Sequence, residues 1–385
     1  MRSQVFHKGN IHDVDWKQIT QGTQIREYLE PLIHKGSAAY VSNSNHEVQL
    51  LIAGEHAFPL LIGDANGGKK YSYVVSNLCQ YFDYVSDEIL RGNTYGRFTR
   101  FVARYLMPLA RALAMGNGME QTVFVNNWLF SSNLYPNCSN IDWKEVLNTL
   151  QTTFPDRAIM FRSIDEKALS EVKHKLEGMG CDALSARLLY YLDFKETNLK
   201  KKRPYQQDKK RWEKQSDYRH RSIRRLDEGL THSILEYYSK LYIGKHSRYN
   251  PIYSKAMLKN LHKSGILSFE GIFEDDHLQA IQLVWMRNGV ATTPFIGYNQ
   301  EIPSEKGLYR FLNTILTELS AETGVLLNMS SGADKFKKQR GGHPVFEYNM
   351  VYFKHLRGYR QWVWKLFVWA GKKYFQPAML QKACA

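Results

Sequence analysis

The sequence has little cysteine. Its four residues, Cys79, Cys138, Cys181 and Cys384, lie far apart in 385 residues. That excludes a disulfide scaffold and any Cys-x-x-Cys zinc or redox site, and points to a reducing, cytosolic compartment. The first residues, Met1-Arg-Ser-Gln-Val-Phe-His-Lys, carry no apolar core of signal-peptide length. No later run approaches the ~18 uninterrupted apolar residues of a membrane span. No Gly-x-Ser-x-Gly elbow or Ser-His-Asp order is present, which removes the common covalent hydrolases. With 43% apolar residues, the chain can bury a large core and is expected to form two domains.

The net charge of +15 is unevenly placed. Residues 200–225 hold 12 Lys/Arg against 3 acids, and residues 335–385 hold 11 against 1, so the remainder is slightly acidic. Two basic segments in an otherwise neutral chain call for an anionic partner: a phosphorylated cosubstrate, RNA or an acidic membrane. In Lys200-Lys-Lys-Arg-Pro-Tyr-Gln-Gln-Asp-Lys-Lys-Arg-Trp, the basic residues alternate with Tyr205 and Trp212. This suits RNA contact, or a charged interdomain helix whose aromatics pack. The run Tyr359-Arg-Gln-Trp-Val-Trp-Lys-Leu-Phe-Val-Trp-Ala suits a helix lying in a membrane interface, or one packed on a domain.

Along the first half, short β-rich runs at 38–42, 48–52 and 58–62 are broken by Gly54, Gly63 and the turn Asn66-Gly67-Gly68, and read as an antiparallel meander. Residues 97–115 place Phe98, Phe101, Val102, Tyr105, Leu106, Leu109 and Leu113 at helical spacing, with Arg97, Arg100, Arg104 and Arg111 on another face and a kink expected at Pro108. A strand at 122–125, a helix opened by Asp142, a strand at 157–161, a helix over 165–178 and a strand at 187–194 follow. After 200–225 the pattern restarts with helices over 230–243 and 252–264 and strands at 266–274, 278–287 and 290–297. Asn288-Gly289 is the strongest hairpin signal. A helix over 305–323 ending at Gly324, a buried strand at 325–329, a basic helix from Ala333 and a strand at 346–353 complete the chain. The expected division is 1–199, a basic linker at 200–225, a second domain at 226–355 and a basic aromatic tail at 356–385.

The second half, with its helix pair, three-stranded meander, helix, strand, helix and strand, resembles the GNAT acyltransferase fold. Ser330-Ser-Gly-Ala-Asp-Lys-Phe-Lys-Lys-Gln-Arg-Gly341-Gly342, directly after the buried strand, resembles the Gly-x-x-x-Tyr-Lys-x-x-x-Gly signature of the FemAB-like and CelD-like branch. Phe336 stands for the tyrosine, and Lys337 is the lysine. The likeness covers roughly 215–355, and 1–200 as a degenerate second unit. It implies an α/β fold of two tandem GNAT-like units, a mixed sheet flanked by helices, and an acyltransferase using acyl-CoA or acetyl-CoA. The acceptor would be an amine or hydroxyl of a small molecule, saccharide or lipid, and no metal would be needed. Two alternatives stay open: an aminoacyl-tRNA-dependent Fem-like transferase, and a non-catalytic RNA- or membrane-binding module. The location would be cytoplasmic, with peripheral contact at the inner membrane face also open.

Within that resemblance the phosphates would meet the start of the 305–323 helix at Ser304, Lys306 and Gly307. This loop has only one glycine where most GNAT enzymes have several. Tyr298 would protonate the leaving sulfur or simply pack at the rim. Asn328, with Ser330, would orient the acceptor or cap a turn. Glu270, on the first meander strand, is the first choice of general base, and His343 the second. Lys337 and Arg340, three residues apart, would hold a phosphate or carboxylate, or belong to a solvated basic helix.

Overall fold

A computed structural model describes residues 3–64, 71–92 and 95–384. The expected turn at Asn66-Gly67-Gly68 lies outside the described residues. Short apolar runs, buried on both faces in the third to fifth, build strands β1 (Gln4–Phe6), β2 (Glu47–Ala53), β3 (His56–Ile62), β4 (Thr122–Val125), β5 (Ala158–Asp165) and β6 (Asp182–Leu192) in the first half. The second half supplies β7 (Arg219–Ser222), β8 (Ser268–Glu274), β9 (His277–Arg287), β10 (Val290–Tyr298), β11 (Leu326–Asn328) and β12 (His343–Tyr352). All twelve join one sheet in the order β1-β2-β3-β4-β5-β12-β6-β11-β10-β9-β8-β7.

Each half repeats one pattern. β1 to β4 are antiparallel neighbours and β4 runs parallel to β5; β7 to β10 are antiparallel neighbours and β10 runs parallel to β11. The last strand of each half then crosses over. β12 lies against β5, β6 lies against β11, and β6 and β12 pair antiparallel at the centre. The two halves are thus tandem units that exchange their final strands, in a mixed α/β architecture.

Helices α1 (Gly22–Lys35), α2 (Tyr84–Arg91), α3 (Arg97–Phe101) and α4 (Met107–Gly116), α5 (Trp143–Thr153) and α6 (Ser170–Gly178) flank the first unit. Helices α7 (Arg203–Lys214), α8 (Glu228–Tyr238), α9 (Lys255–Ser264), α10 (Leu308–Thr323) and α11 (Asp334–Gln339) flank the second, followed by α12 (Gly358–Ala370) and α13 (Gln376–Cys384). One sheet face carries a core that spans both units, with Tyr28, Leu61, Trp128, Tyr191, Met257 and Trp285. On the other face, the first unit packs α5 and α6 through Val146, Leu150 and Leu176. The second packs α10 through Phe311, Leu312 and Ile315.

Local rules hold where the chemistry is local. Asn288 and Gly289 take φ of 47° and 72°, the left-handed pair a tight hairpin needs, and Gly324 ends α10 at φ 67°. Asp142 caps α5 by accepting from the amides of Lys144 and Glu145, both at 3.1 Å. Elsewhere the structure departs from the sequence reading. The run at 38–42 is a 3₁₀ turn (Ser37–Ala39) and a single bridge from Val41 to Tyr253, not a meander strand. The helix expected over 165–178 starts at Ser170, because β5 continues to Asp165 to pair with β12. Residues 200–225 hold α7 and the edge strand β7. Lys209 bonds Glu318 of α10 at 2.6 Å, and β7 pairs with β8.

The amphipathic helix expected over 97–115 is found, as α3 and α4 with an irregular turn between them. A π-turn at Val102–Leu106 widens the chain ahead of Pro108, whose ring removes one amide from the ladder. The apolar face of this helix points outward: Phe98 is 78% exposed and Leu113 69%. Small residues, Ala103 and Ala114, are the buried ones, and Arg111 pairs inward with Asp83 at 2.9 Å.

Candidate functional site

The site lies where the parallel pair β10/β11 parts. Pairing covers only Val290↔Leu326, Ala291↔Leu327 and Thr292↔Asn328. Beyond it, the β9/β10 register shifts between Thr292 and Phe295, so β10 bends. The chain after β11 instead follows β6, with Met329 N–H bonded to the Tyr190 carbonyl and Tyr190 N–H to that of Ser330. Past Thr292 the two strands are no longer paired, and the interval between β10 and the chain after β11 is the wedge of the candidate site. The Thr292 hydroxyl at its apex is fully buried and has no hydrogen-bond partner among the described residues.

At the mouth of the wedge stands the N-terminus of α10. Gly307, at φ 87°, is its N-cap and supplies no side-chain cap, so the amides of the first turn point outward with a partial positive charge. The preceding turn, Ser304–Lys306, is held by the Arg211 guanidinium on the Glu305 carbonyl. Lys306 pairs with Asp217 at 3.6 Å, and Ser304 bonds Glu305 at 3.2 Å. Tyr298, at the end of β10, has its ring 6.3 Å from that of Tyr309 in the first turn of α10, and Tyr309 lies 5.2 Å from Phe336. Tyr242, in the π-turn after α8, comes within electrostatic reach of Tyr298, Tyr309, Tyr73 and Arg187, and burial raises its phenol pKa.

The far wall is α11. Lys337 is only 3% exposed, so it does not belong to a solvated helix. Its ammonium donates to the carbonyls of Ser330 at 3.1 Å and Ser331 at 2.7 Å, and sits 5.9 Å from the Tyr190 ring. Burial pushes its pKa down to about 7, partly offset by Asp334. Arg340 is also buried. Its guanidinium lies on the Phe336 ring at 3.5 Å and is held by Asp208 of α7 at 2.7 Å and 2.5 Å. Its fork is therefore committed to a carboxylate inside the fold. Arg310 of α10 reaches the other oxygen of the same carboxylate at 3.9 Å.

Asn328 belongs to a buried polar chain across the sheet centre. It donates to the Tyr191 hydroxyl at 3.1 Å and accepts the Ser330 amide at 2.8 Å; Tyr191 donates to Asp165 at 2.8 Å. Burial raises the Asp165 carboxyl to about 6. Next to it, Arg187 of β6 grips Glu347 of β12 at 2.8 Å and 3.1 Å.

The structure thus links Tyr298, Gly307, Arg340, Lys337 and Ser330 around the wedge through Tyr309 and Phe336, whereas the Asn328 side chain turns to the opposite sheet face with Tyr191. It does not bring Glu270 there. Both Phe269 and Glu270 are buried, on opposite sheet faces, and Glu270 lies two strands from β10, opposite Gln282 and then Ile296. Its carboxylate accepts from His220 at 2.8 Å and Ser222 at 2.7 Å; these bonds outweigh burial and hold its pKa low, which suits an ion pair better than a base. His343 is exposed at the start of β12, opposite Tyr191. The sequence reading did not single out Asp208, Tyr309 or Tyr242. For Asp208 a signal existed: Tyr205, Asp208 and Trp212 share one helical face. That face turns inward, with Tyr205 buried and Trp212 5.1 Å from Phe311, so these aromatics are packed rather than offered to bases.

No protein-family model and no curated protein matches the chain. Solved structures do. L-PGS from Bacillus licheniformis is 14% identical, covering 64% of this chain and 82% of its own, with a TM-score of 0.45. FemX is 8% identical, covering 59% and 79%, at 0.43. A tandem GNAT protein from the clavulanic acid biosynthesis pathway is 9% identical, covering 91% and 98%, at 0.41.

Proposed function

We propose that this protein transfers an acyl group from a phosphate-bearing activated donor to an amine or hydroxyl acceptor. The observation that carries this reading is the wedge between β10 and β11 facing the uncapped N-terminus of α10. Beyond Thr292, β10 has no strand neighbour on its β11 side among the described residues, which suits an extended amide-bearing arm lying there as an added strand would. The α10 amides suit the phosphate end of the same molecule, and the orphaned Thr292 hydroxyl suits a polar atom of the arm. An acyl-CoA has that form, and it supplies the activated carbonyl.

The chain's own residues then have separable tasks. Lys337, with a pKa near 7, is present as both ammonium and amine near neutrality. It can steady negative charge on the acyl oxygen, or take the acceptor's proton. Tyr298 holds a phenol proton at the open end for the leaving group. Asp208 and Phe336 fix Arg340, and through α11 they fix the Lys337 backbone. Asn328 orders the Ser330 turn, whose carbonyl meets the lysine.

A second reading has its own support. Lys201, Arg203, Lys210, Arg211 and Lys214 are exposed on and beside α7, which holds the loop before α10, so a donor carrying many phosphates, such as a charged tRNA, has a basic approach to the wedge. Titration calorimetry with a panel of acyl-CoAs, followed by thiol release in the presence of amine and hydroxyl acceptors, tests the first reading. Heat with at least one thioester and acceptor-dependent thiol release are expected. No heat and no thiol release would refute the thioester donor. Label transfer from charged tRNA that RNase abolishes would then establish the second reading, and RNase-insensitive transfer would defeat it.

A further inference from the structure

The exposed apolar side chains of this protein are gathered in two places. Every large hydrophobic side chain exposed among the described residues lies within 98–115 or 359–380. In the first segment these are Phe98, Phe101, Tyr105, Leu106, Leu109, Leu113 and Met115. In the second they are Tyr359, Trp362, Leu366, Trp369, Tyr374 and Leu380. Neither row is a core face that failed to pack. The first segment already docks through Ala103, Ala114 and the Arg111–Asp83 pair, and α12 docks through Arg360, Trp364 and Val368. The exposed rows are second apolar faces.

The two rows are neighbours. The π-turn Cys79–Asp83 runs between their helices: Asp83 holds Arg111 of α4, while the rings of Tyr81 and Phe82 lie 5.1 Å and 5.4 Å from Phe367 of α12. At the end of α4, Arg360 of α12 donates to the carbonyl of Gly118 at 3.0 Å. Within the two segments themselves the charge has one sign. No Asp or Glu occurs between Glu88 and Glu120 or after Glu347, whereas Arg97, Arg100, Arg104, Lys365, Lys372 and Lys373 border the rows.

We propose that α3–α4 and α12–α13 form one surface that docks peripherally on an anionic lipid bilayer. Apolar rows with tryptophan and tyrosine among lysine and arginine match the apolar, interfacial and headgroup layers of such a membrane in turn. A second copy of the chain is a poorer occupant, because the basic residues of these two segments would be set against their own copies. No helix among the described residues is long and apolar enough to cross a bilayer, so these helices would lie in its surface.

The test uses the full chain with two sets of vesicles, phosphatidylcholine alone and phosphatidylcholine with about one-third phosphatidylglycerol. Co-sedimentation with the anionic vesicles, weakened by salt and accompanied by a blue shift of tryptophan emission, is expected. Trp362→Ser/Trp369→Ser, at exposed positions, should weaken it at least about tenfold with an unchanged melting temperature. The quadruple variant Arg97→Gln/Arg104→Gln/Lys365→Gln/Lys372→Gln should remove the preference for anionic vesicles. Lack of binding, or equal binding to both vesicle sets, would overturn the proposal. So would a concentration-dependent dimer that the tryptophan substitutions abolish, since the surface would then belong to a second copy.

Discussion

Replacing Lys337 with methionine should move stability and activity in opposite directions. The side chain is 3% exposed, and burial lowers its pKa from the ordinary 10.5 to about 7. A lysine whose folded pKa lies below its unfolded value binds fewer protons when folded, so its contribution to stability rises with pH between those two values. The cost of burying the charge is fully present below about pH 7 and is relieved above it. The slope approaches about 1.4 kcal/mol per pH unit, or roughly 2 kcal/mol between about pH 7 and about pH 9. Lys337→Met keeps length and volume and removes the titrating group. It gives up two hydrogen bonds to carbonyls, together worth about 2 kcal/mol. Urea unfolding of both proteins should therefore show wild type gaining on the variant by roughly 2 kcal/mol over that range, with the variant equal or more stable at the acid end. Transfer activity should fall at least about a hundredfold. A stability difference that does not change with pH would refute the depressed pKa, and unchanged activity would remove Lys337 from the chemistry. Lys338→Ala, next along α11, controls for the loss of general positive charge.

Asp208→Asn leaves the buried Arg340 guanidinium without its countercharge and should cost about 3–5 kcal/mol in urea unfolding; a loss below about 1 kcal/mol would show that the arginine finds water instead. Tyr298→Phe keeps the ring contact with Tyr309 and removes the phenol proton. It should lower kcat about tenfold or more with KM little changed, and an unaltered kcat would reduce Tyr298 to packing. Asp142→Ala removes the α5 cap and should cost about 1 kcal/mol in thermal or chemical unfolding, without effect on the distant wedge.

The meander of the second unit was legible because its determinants are neighbours in sequence. Asn288-Gly289 specifies its turn, and the apolar spacing of α10 together with Gly324 specifies that helix and its end. The wedge residues followed from the same element order, since Tyr298, Gly307 and Lys337 each sit at the start or end of a readable element. The exchange of β6 and β12 left no local trace, because a strand buried on both sides reads the same whichever strands adjoin it. The 97–115 helix was legible, but which of its faces is buried was not. Its periodicity shows that an apolar face exists, but not what medium that face meets, and two small alanines facing inward give a weak signal beside Phe98 and Leu109. The setting of Glu270 away from the wedge was not legible, because its partners, His220 and Ser222, come from β7, an edge strand hidden in a stretch that reads as linker.

The exchanged strands also set the order in which this protein can be made. β12 sits at the middle of the sheet, with Glu347 opposite both Asp165 and Arg187, yet it leaves the ribosome after the eleven other strands described. Until it emerges, β5 and β6 each present an open edge, and the Arg187 guanidinium awaits its carboxylate. The first unit therefore cannot close as a finished domain during synthesis of the second, unlike most tandem chains. A ribosome stalled before residue 343 would hold a chain with two unsatisfied sheet edges near its centre, the kind of surface that chaperones bind and that pairs with other unfinished chains.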